Sequence, residues 1–330
     1  MRRKLIIGTG SITLVLVLVA VLVVGAGVQA NSPEIDAIVS TDWLEENLGA
    51  EDLVILDVRT PDEYTAGHIP GAVNSPEADW YINPPFGPDV PWMELPEVDD
   101  LEVTIGNAGI TAESLVVIVS RTVDPFALYA IAGATRVAVT LLYAGVENVA
   151  ILDGGWDLWA AEGKETSDEP VTPEPVTYEA DVNEAMFVNM DYVEARIGRI
   201  LRCKIVDGRD VDVYFGVTLE YLWTAYPGHI PSATSLPVPW LYTFDEEGIG
   251  TYKDIDVLGE MAYGVVGRQV CGWWGCLPRE IIATCGVGGY ASTLYFVLSE
   301  VLGYENVKIY DGAAQEWTAA GKPVNLYMWN

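Results

Sequence analysis

Cys285 is the residue around which chemistry would be built. It ends the apolar run Ile281-Ile282-Ala283-Thr284 and opens Gly286-Val287-Gly288-Gly289-Tyr290, after which Ala291 and Ser292 start a helical pattern. A cysteine attacks as its thiolate, so a nucleophile here needs a pKa below the ~8.5 of a free thiol. The unpaired N–H groups of a helix N-terminus favour that state by placing positive potential at the sulfur. Gly286, Gly288 and Gly289 would let successive N–H groups converge on one point. The competing reading is an inert, buried cysteine beside glycines that only let the chain bend.

Other residues that could do chemistry come in matched sets. His68 lies in TAGHIPGA and His229 in YPGHIPSA; upstream of each is an apolar run ending in Asp-x-Arg, with Asp57 and Arg59 in VILDVR and Asp207 and Arg209 in KIVDGR. Downstream, GVENVAILDGGWDLWAAEGKE matches GYENVKIYDGAAQEWTAAGKP. Three landmarks repeated in one order mark an internal duplication. The Asp207–Arg209 pair could orient substrate or tie loops together, and the histidines could hold the turns before Pro70 and Pro231. Tyr290 would form a pocket wall or cover the loop. Cys271 and Cys276, in CGWWGC, are a disulfide candidate if the turn brings their Cα atoms within ~7 Å. With four cysteines and two histidines in the chain, a four-ligand zinc site has no support, and no metal or cofactor is expected.

Such residues need a scaffold. Runs such as LVVIVS, KIVD, IIAT and VKIY alternate with helical patterns, one of which puts Leu294, Leu298 and Val301 on one face. This alternation predicts an α/β fold of two similar domains, each a parallel sheet flanked by helices. Residues 31–170 form the first domain and 183–330 the second. A proline- and acid-rich linker at 171–182 joins them. Ligands of such sheets sit beyond the carboxyl ends of the strands, where Cys285 falls.

Taken in order, VSTDWLEENL, LDVRTPDEYTAGHIPGAVN, ILDGGWDLW, IVDGR, GHIPSA, ATCGVGGYAS and YDGAAQEW resemble the tandem-domain rhodanese family, the thiosulfate and 3-mercaptopyruvate sulfurtransferases. The resemblance implies a catalytic second domain carrying a persulfide on Cys285, with the loop Gly286–Tyr290, Asp207, Arg209 and His68 around the substrate. It also implies a silent first domain, where Ser120 and Arg121 stand at the equivalent place. The donor would be thiosulfate, 3-mercaptopyruvate or polysulfide, and the acceptor a thiol or cyanide. Related phosphatases and arsenate reductases carry an arginine six positions after the cysteine to grip an oxyanion; here that position is Ala291, which favours sulfur transfer. Two departures bear on the donor. The loop after Cys285 has no basic residue, and Val213 replaces a second arginine that contacts the anionic donor in many tandem members. The alternative function is a non-catalytic rhodanese-like protein binding a small anion or a protein partner.

The ends and the charge set the surroundings. Arg2, Arg3 and Lys4 precede an uncharged run whose residues 5–24 are long enough to span a bilayer, and Val28-Gln29-Ala30 is a cleavage-site pattern. Residues 1–30 are therefore expected to be a signal peptide or a membrane anchor, with the bulk of the chain extracytoplasmic, secreted or anchored. A formal net charge of −31 in 330 residues excludes a general nucleic-acid binder.

Overall fold

Each half of the chain builds a five-stranded sheet with the same strand order. The structure is a computed structural model that describes residues 35–85, 87, 90–123, 127–220, 222–267, 270–272, 275–277 and 279–329, with the side chains of 270–272 and 275–277 excepted. The first sheet is formed by β1 (Ile38–Val39), β2 (Leu53–Asp57), β3 (Val73–Asn74), β4 (Leu115–Val119) and β5 (Val149–Leu152). Its order is β1-β5-β4-β2-β3, with every neighbouring pair parallel. The helices are α1 (Thr41–Asn47), α2 (Pro61–Ala66), α3 (Val98–Asn107), α4 (Ala127–Tyr143) and α5 (Gly155–Ala161).

The second half contains β6 (Phe187–Val188), β7 (Cys203–Asp207), β8 (Ala233–Ser235), β9 (Tyr242–Phe244), β10 (Gly250–Tyr252), β11 (Val270–Gly272), β12 (Gly275–Leu277), β13 (Glu280–Thr284) and β14 (Val307–Tyr310). Its sheet runs β6-β14-β13-β7-β8, again parallel throughout. The helices are α6 (Met190–Glu194), α7 (Val211–Tyr214), α8 (Ile255–Val266), α9 (Gly289–Phe296) and α10 (Ala313–Ala319). Two antiparallel pairs, β9 with β10 and β11 with β12, are additions absent from the first sheet. Cys271 and Cys276 face each other across the second pair in backbone register. Their side chains, and with them the disulfide candidate, lie outside the described residues, as does the leader expected over residues 1–30. Among the described residues no helix is long and apolar enough to cross a membrane.

Strand side chains alternate between two faces, and the cores follow that alternation. In the first sheet Ile55, Val117 and Val119 pack with Leu44, Tyr64 and Trp159 of α1, α2 and α5. The intervening Leu56, Val116 and Ile118 pack toward α3 and α4. In the second, Ile205, Ile282 and Tyr310 join Val193, Tyr214 and Trp317, while Val206, Ile281, Ala283 and Ile309 face α8 and α9. The inner cores of both halves merge into one cluster, and residues 33–330 form a single compact unit.

The seam is α4 against α9. From Ala291 to Phe296 every residue of α9 is buried, as expected of a helix packed on all sides. Thr135 and Thr293 hydroxyls meet at 2.8 Å across the seam. Arg136, with no solvent exposure, donates to Asp311 Oδ1 at 2.7 Å. Asp311 also accepts from the backbone N–H of Leu95 at 2.9 Å.

Candidate active site

The register of the sheets brings the candidate residues to one edge. In the second half Asp207 pairs with Thr284, so Arg209 and Cys285 leave adjacent strands side by side. The first half repeats this with Asp57 opposite Val119, placing Arg59 beside Ser120.

After Cys285 the chain turns so that its carbonyls and its N–H groups point to different places. The Cys285 and Gly286 carbonyls accept from Ala314 N and Gln315 N at the start of α10, both at 2.9 Å. The N–H of Gly288 points inward and donates to Cys285 Sγ at 3.1 Å. That turn needs Gly288 at φ +101°, a backbone angle that only glycine adopts without strain. Gly289 then begins α9, so the sulfur lies at the N-terminus of a helix.

This arrangement does not lower the resting thiol's pKa. Burial pushes Cys285 up to about 11, against the pull of the N–H groups of Ala291, Val287 and Gly288, and the Glu220 carboxylate pushes it further up. The sequence expectation of a depressed pKa is therefore corrected. The glycine nest forms, but it lies at a sulfur only 2% exposed, where removing water from the charged form outweighs three hydrogen bonds.

Cys285 borders a cavity of about 100 Å³ between the halves. Gly286, Val287, Gly289, Tyr290 and Arg209 join it from the predicted set. Gly288 contributes its N–H to the sulfur, and Asp207 holds Arg209 from behind. Asp207 accepts from Arg209 Nε at 3.0 Å and Nη2 at 2.6 Å, and Nη2 also donates to the Gly228 carbonyl at 2.9 Å. Arg59 repeats this with Asp57 and the Gly67 carbonyl. The recurrence identifies the pair as a loop tie in both halves, with Arg209 Nη1 left to face Glu220 at 3.4 Å.

His68 is not brought to the cavity. Its ring is fully buried, stacks on Tyr64 at 3.8 Å, and meets the Tyr64 and Glu169 carbonyls at 2.9 and 3.1 Å. His229 stacks on Tyr214 at 3.8 Å and meets the Tyr214 carbonyl at 2.8 Å. With both ring nitrogens engaged by backbone, His68 has none left for substrate, so its sequence assignment to the site is corrected to a turn-holding role.

Much of the cavity wall was not visible in the motifs. Glu77, Tyr81, Trp92, Met93 and Tyr129 come from the first half, Glu220 and Trp223 from the second. Trp92 stacks on Trp223 at 4.6 Å and Tyr81 stands edge-on to Trp92 at 5.8 Å, an aromatic wall crossing the seam. A Cβ on Gly286 would lie 3.1 Å from Glu220 Oε2, so the carboxylate rests on the cysteine loop. Burial raises the pKa of Glu220 although Arg209 opposes it. Burial raises Glu77 to about 7; its hydrogen bond from Tyr81 lowers it and Glu63 raises it. The available signal was compositional: residues 77–95 and 218–226 are stretches that combine aromatic and acidic residues.

A duplicated α/β sheet with a cysteine loop at one carboxyl edge defines the class as rhodanese-like. The rhodanese-like domain family model matches residues 40–162. A Synechococcus elongatus protein named "Putative thiosulfate sulfurtransferase" is 32% identical over 298 residues, covering 87% of this chain and 84% of its own. A Mycolicibacterium smegmatis protein of the same name is 31% identical over 301 residues, covering 88% and 98%. The chain belongs to the rhodanese family. Among solved structures, YnjE superposes with a TM-score of 0.70 at 23% identity, covering 88% of this chain and 68% of that one. The anaerobic ergothioneine biosynthesis enzyme from Chlorobium limicola, in complex with trimethyl histidine, gives 0.71 at 21%, covering 88% and 70%. At these identities the likeness is one of fold.

Proposed function

We propose that the protein is a sulfurtransferase that carries sulfane sulfur on Cys285, with a catalytically silent first half. The observation that carries this reading is the Gly288 N–H directed at Sγ in a loop bordering the cavity, in a chain whose relatives bear sulfurtransferase names. The Cys285 thiolate attacks the outer sulfur of the donor. The bond between that sulfur and the rest of the donor breaks, its electron pair leaving with sulfite, the pyruvate enolate or a shortened polysulfide. The resulting persulfide anion is larger and more diffuse than a thiolate, and it extends toward the N–H groups of Val287, Gly288 and Ala291. An acceptor thiolate or cyanide then attacks the outer sulfur and Cys285 departs with the electron pair of the S–S bond. The thiol proton is lost on loading and regained on discharge, and the Glu220 carboxylate, resting on the loop, is a group that can exchange it.

The pKa of about 11 at Cys285 favours a second reading, a non-catalytic protein that holds a small ligand or partner at this cavity. Intact mass after incubation with thiosulfate, 3-mercaptopyruvate and polysulfide separates the two. The wild type is expected to gain one sulfur atom from at least one donor and Cys285→Ser none; absence of loading from all three would reject the transferase.

The basic residues at 2–4 and the uncharged run at 5–24 support an extracytoplasmic location, secreted or anchored. Fractionating expressing cells and probing for the sulfur-transfer domains tests this; recovery wholly in the cytoplasmic fraction would overturn it.

A further inference from the structure

The walls of the Cys285 cavity carry an unusual charge for a site thought to take anionic sulfur donors. Three carboxylates, Glu77, Asp210 and Glu220, and one guanidinium, Arg209, line it. That guanidinium is already matched, since Asp207 takes its Nε and Nη2. Val213, at the position where a second arginine was expected, is a buried apolar residue. The stacked Trp92 and Trp223 line the same cavity. Carboxylates and aromatic rings lining one cavity form surroundings that stabilise an ammonium group, through Coulomb attraction to the carboxylates and through the ring quadrupoles. For an anion the same surroundings are repulsive. Burial raises both Glu77 and Glu220, while Arg209, whose Nη1 lies 3.4 Å from Glu220, opposes the rise at Glu220.

We infer that Glu220 and Glu77 set the charge selectivity at Cys285, so that the sulfur-bearing substrate of this site carries a cationic group beside its sulfur, as an aminothiol or its persulfide does, and dianionic thiosulfate is a poor donor. This rests on Cys285 being the reacting sulfur. The transfer remains the exchange described above: an aminothiolate attacks the outer persulfide sulfur, an S–S bond forms on the acceptor, the S–S bond to Cys285 breaks with its pair on Sγ, and no external oxidant or reductant is needed.

The test is built to read charge selectivity independently of sulfur transfer. Methanethiosulfonate reagents with an aminoethyl, a methyl or a sulfonatoethyl group add a cationic, neutral or anionic thiol to cysteine by one chemistry. Their rates at Cys285, followed by peptide mass and divided by their rates with a free thiol, are expected to fall in the order cationic, neutral, anionic. The expected span from first to last is about tenfold or more, and Glu220→Gln should compress it. Equal rates, or an anionic preference in the wild type, would overturn the inference whether or not sulfur loads, and this wild-type comparison stands even if the variant fails to fold. A correct order in a protein that never gains sulfur from any donor would reject the transferase reading and leave the cavity as a cation-selective thiol site. Discharge of the loaded enzyme by cysteamine faster than by 3-mercaptopropionate, relative to a free persulfide, extends the order to the reaction itself; the reverse would overturn it.

Discussion

The same strand-loop-helix corner is built twice in this protein, and its two copies spend their backbone N–H groups differently. In the second half the N–H groups after Cys285 turn inward to the sulfur, while α10 holds the carbonyls of Cys285 and Gly286. In the first half the Ser120 carbonyl is held likewise by Trp156 N at 2.9 Å. There, however, the N–H of Thr122 is taken by the Asp157 carboxylate at 2.5 Å, and the Thr122 hydroxyl by the Gly154 carbonyl. Beside it, Arg121 is paired with Glu63 at 3.3 Å. The first half's cavity is larger, about 540 Å³ against about 100 Å³, yet the Thr122 N–H of the loop after Ser120 is already satisfied. If the proposed function holds, reactivity at this fold's edge follows where the peptide dipoles point, more than the room available.

The sharpest way to break the contrast is at Gly288. Gly288→Ala keeps Cys285 but places an L-residue at φ +101°, so the loop must relax and carry its N–H away from the sulfur. Removal of one such donor costs about a hundredfold or more in rate. Sulfur loading in a single turnover, followed by mass, should slow by that factor while circular dichroism shows an unchanged fold. Loading at the wild-type rate would mean that the nest does not serve the sulfur.

Glu77 lies in the walls of both cavities, and besides the charge selectivity inferred above it affects stability. Its pKa is raised from 4.5 to about 7, so between those values the folded chain keeps a proton that the unfolded chain releases. Stability from this group is therefore lost as pH rises from about 4.5 to 7. Glu77→Gln should match the wild type near pH 4 and exceed it above pH 7. After allowance for partial exposure to solvent, the gain is about 1 to 2 kcal/mol. Urea unfolding at pH 4 and pH 8 measures it; an equal difference at both would show that Glu77 titrates normally.

The duplication was legible because its pins recur in the sequence. Asp-x-Arg ties the arginine to a glycine carbonyl in both halves, and each Gly-His-Ile-Pro stacks its histidine on a tyrosine from the preceding helix. Such local bonds need fixed residue types at fixed spacing, so they leave a pattern. The cysteine loop was legible for the same reason. The cavity wall was not, because Trp92 and Trp223 meet only after α4 and α9 pack, and nothing in either stretch specifies the other. The pKa of Cys285 escaped likewise: the glycines announce the N–H groups that lower it, while the burial that raises it depends on both halves together.

Ser120→Cys, made in the Cys285→Ser background, puts the comparison to its finest test, because it supplies the nucleophile and leaves the first half's loop as it is. Ser120 is 3% exposed and follows β4 as Cys285 follows β13, so the new sulfur would stand at the equivalent corner. If a thiol at a sheet edge were sufficient, the variant would gain a sulfur atom from the same donors. The expectation is no gain, because Asp157 already holds the Thr122 N–H and would set a carboxylate beside the thiolate, raising its pKa. Adding Asp157→Asn removes that charge while keeping an acceptor for the N–H, and is expected to increase alkylation of the introduced thiol only slightly. Full loading of either variant would show that the two halves differ in the nucleophile alone, and that the directed N–H groups after Cys285 are not what makes it the working copy.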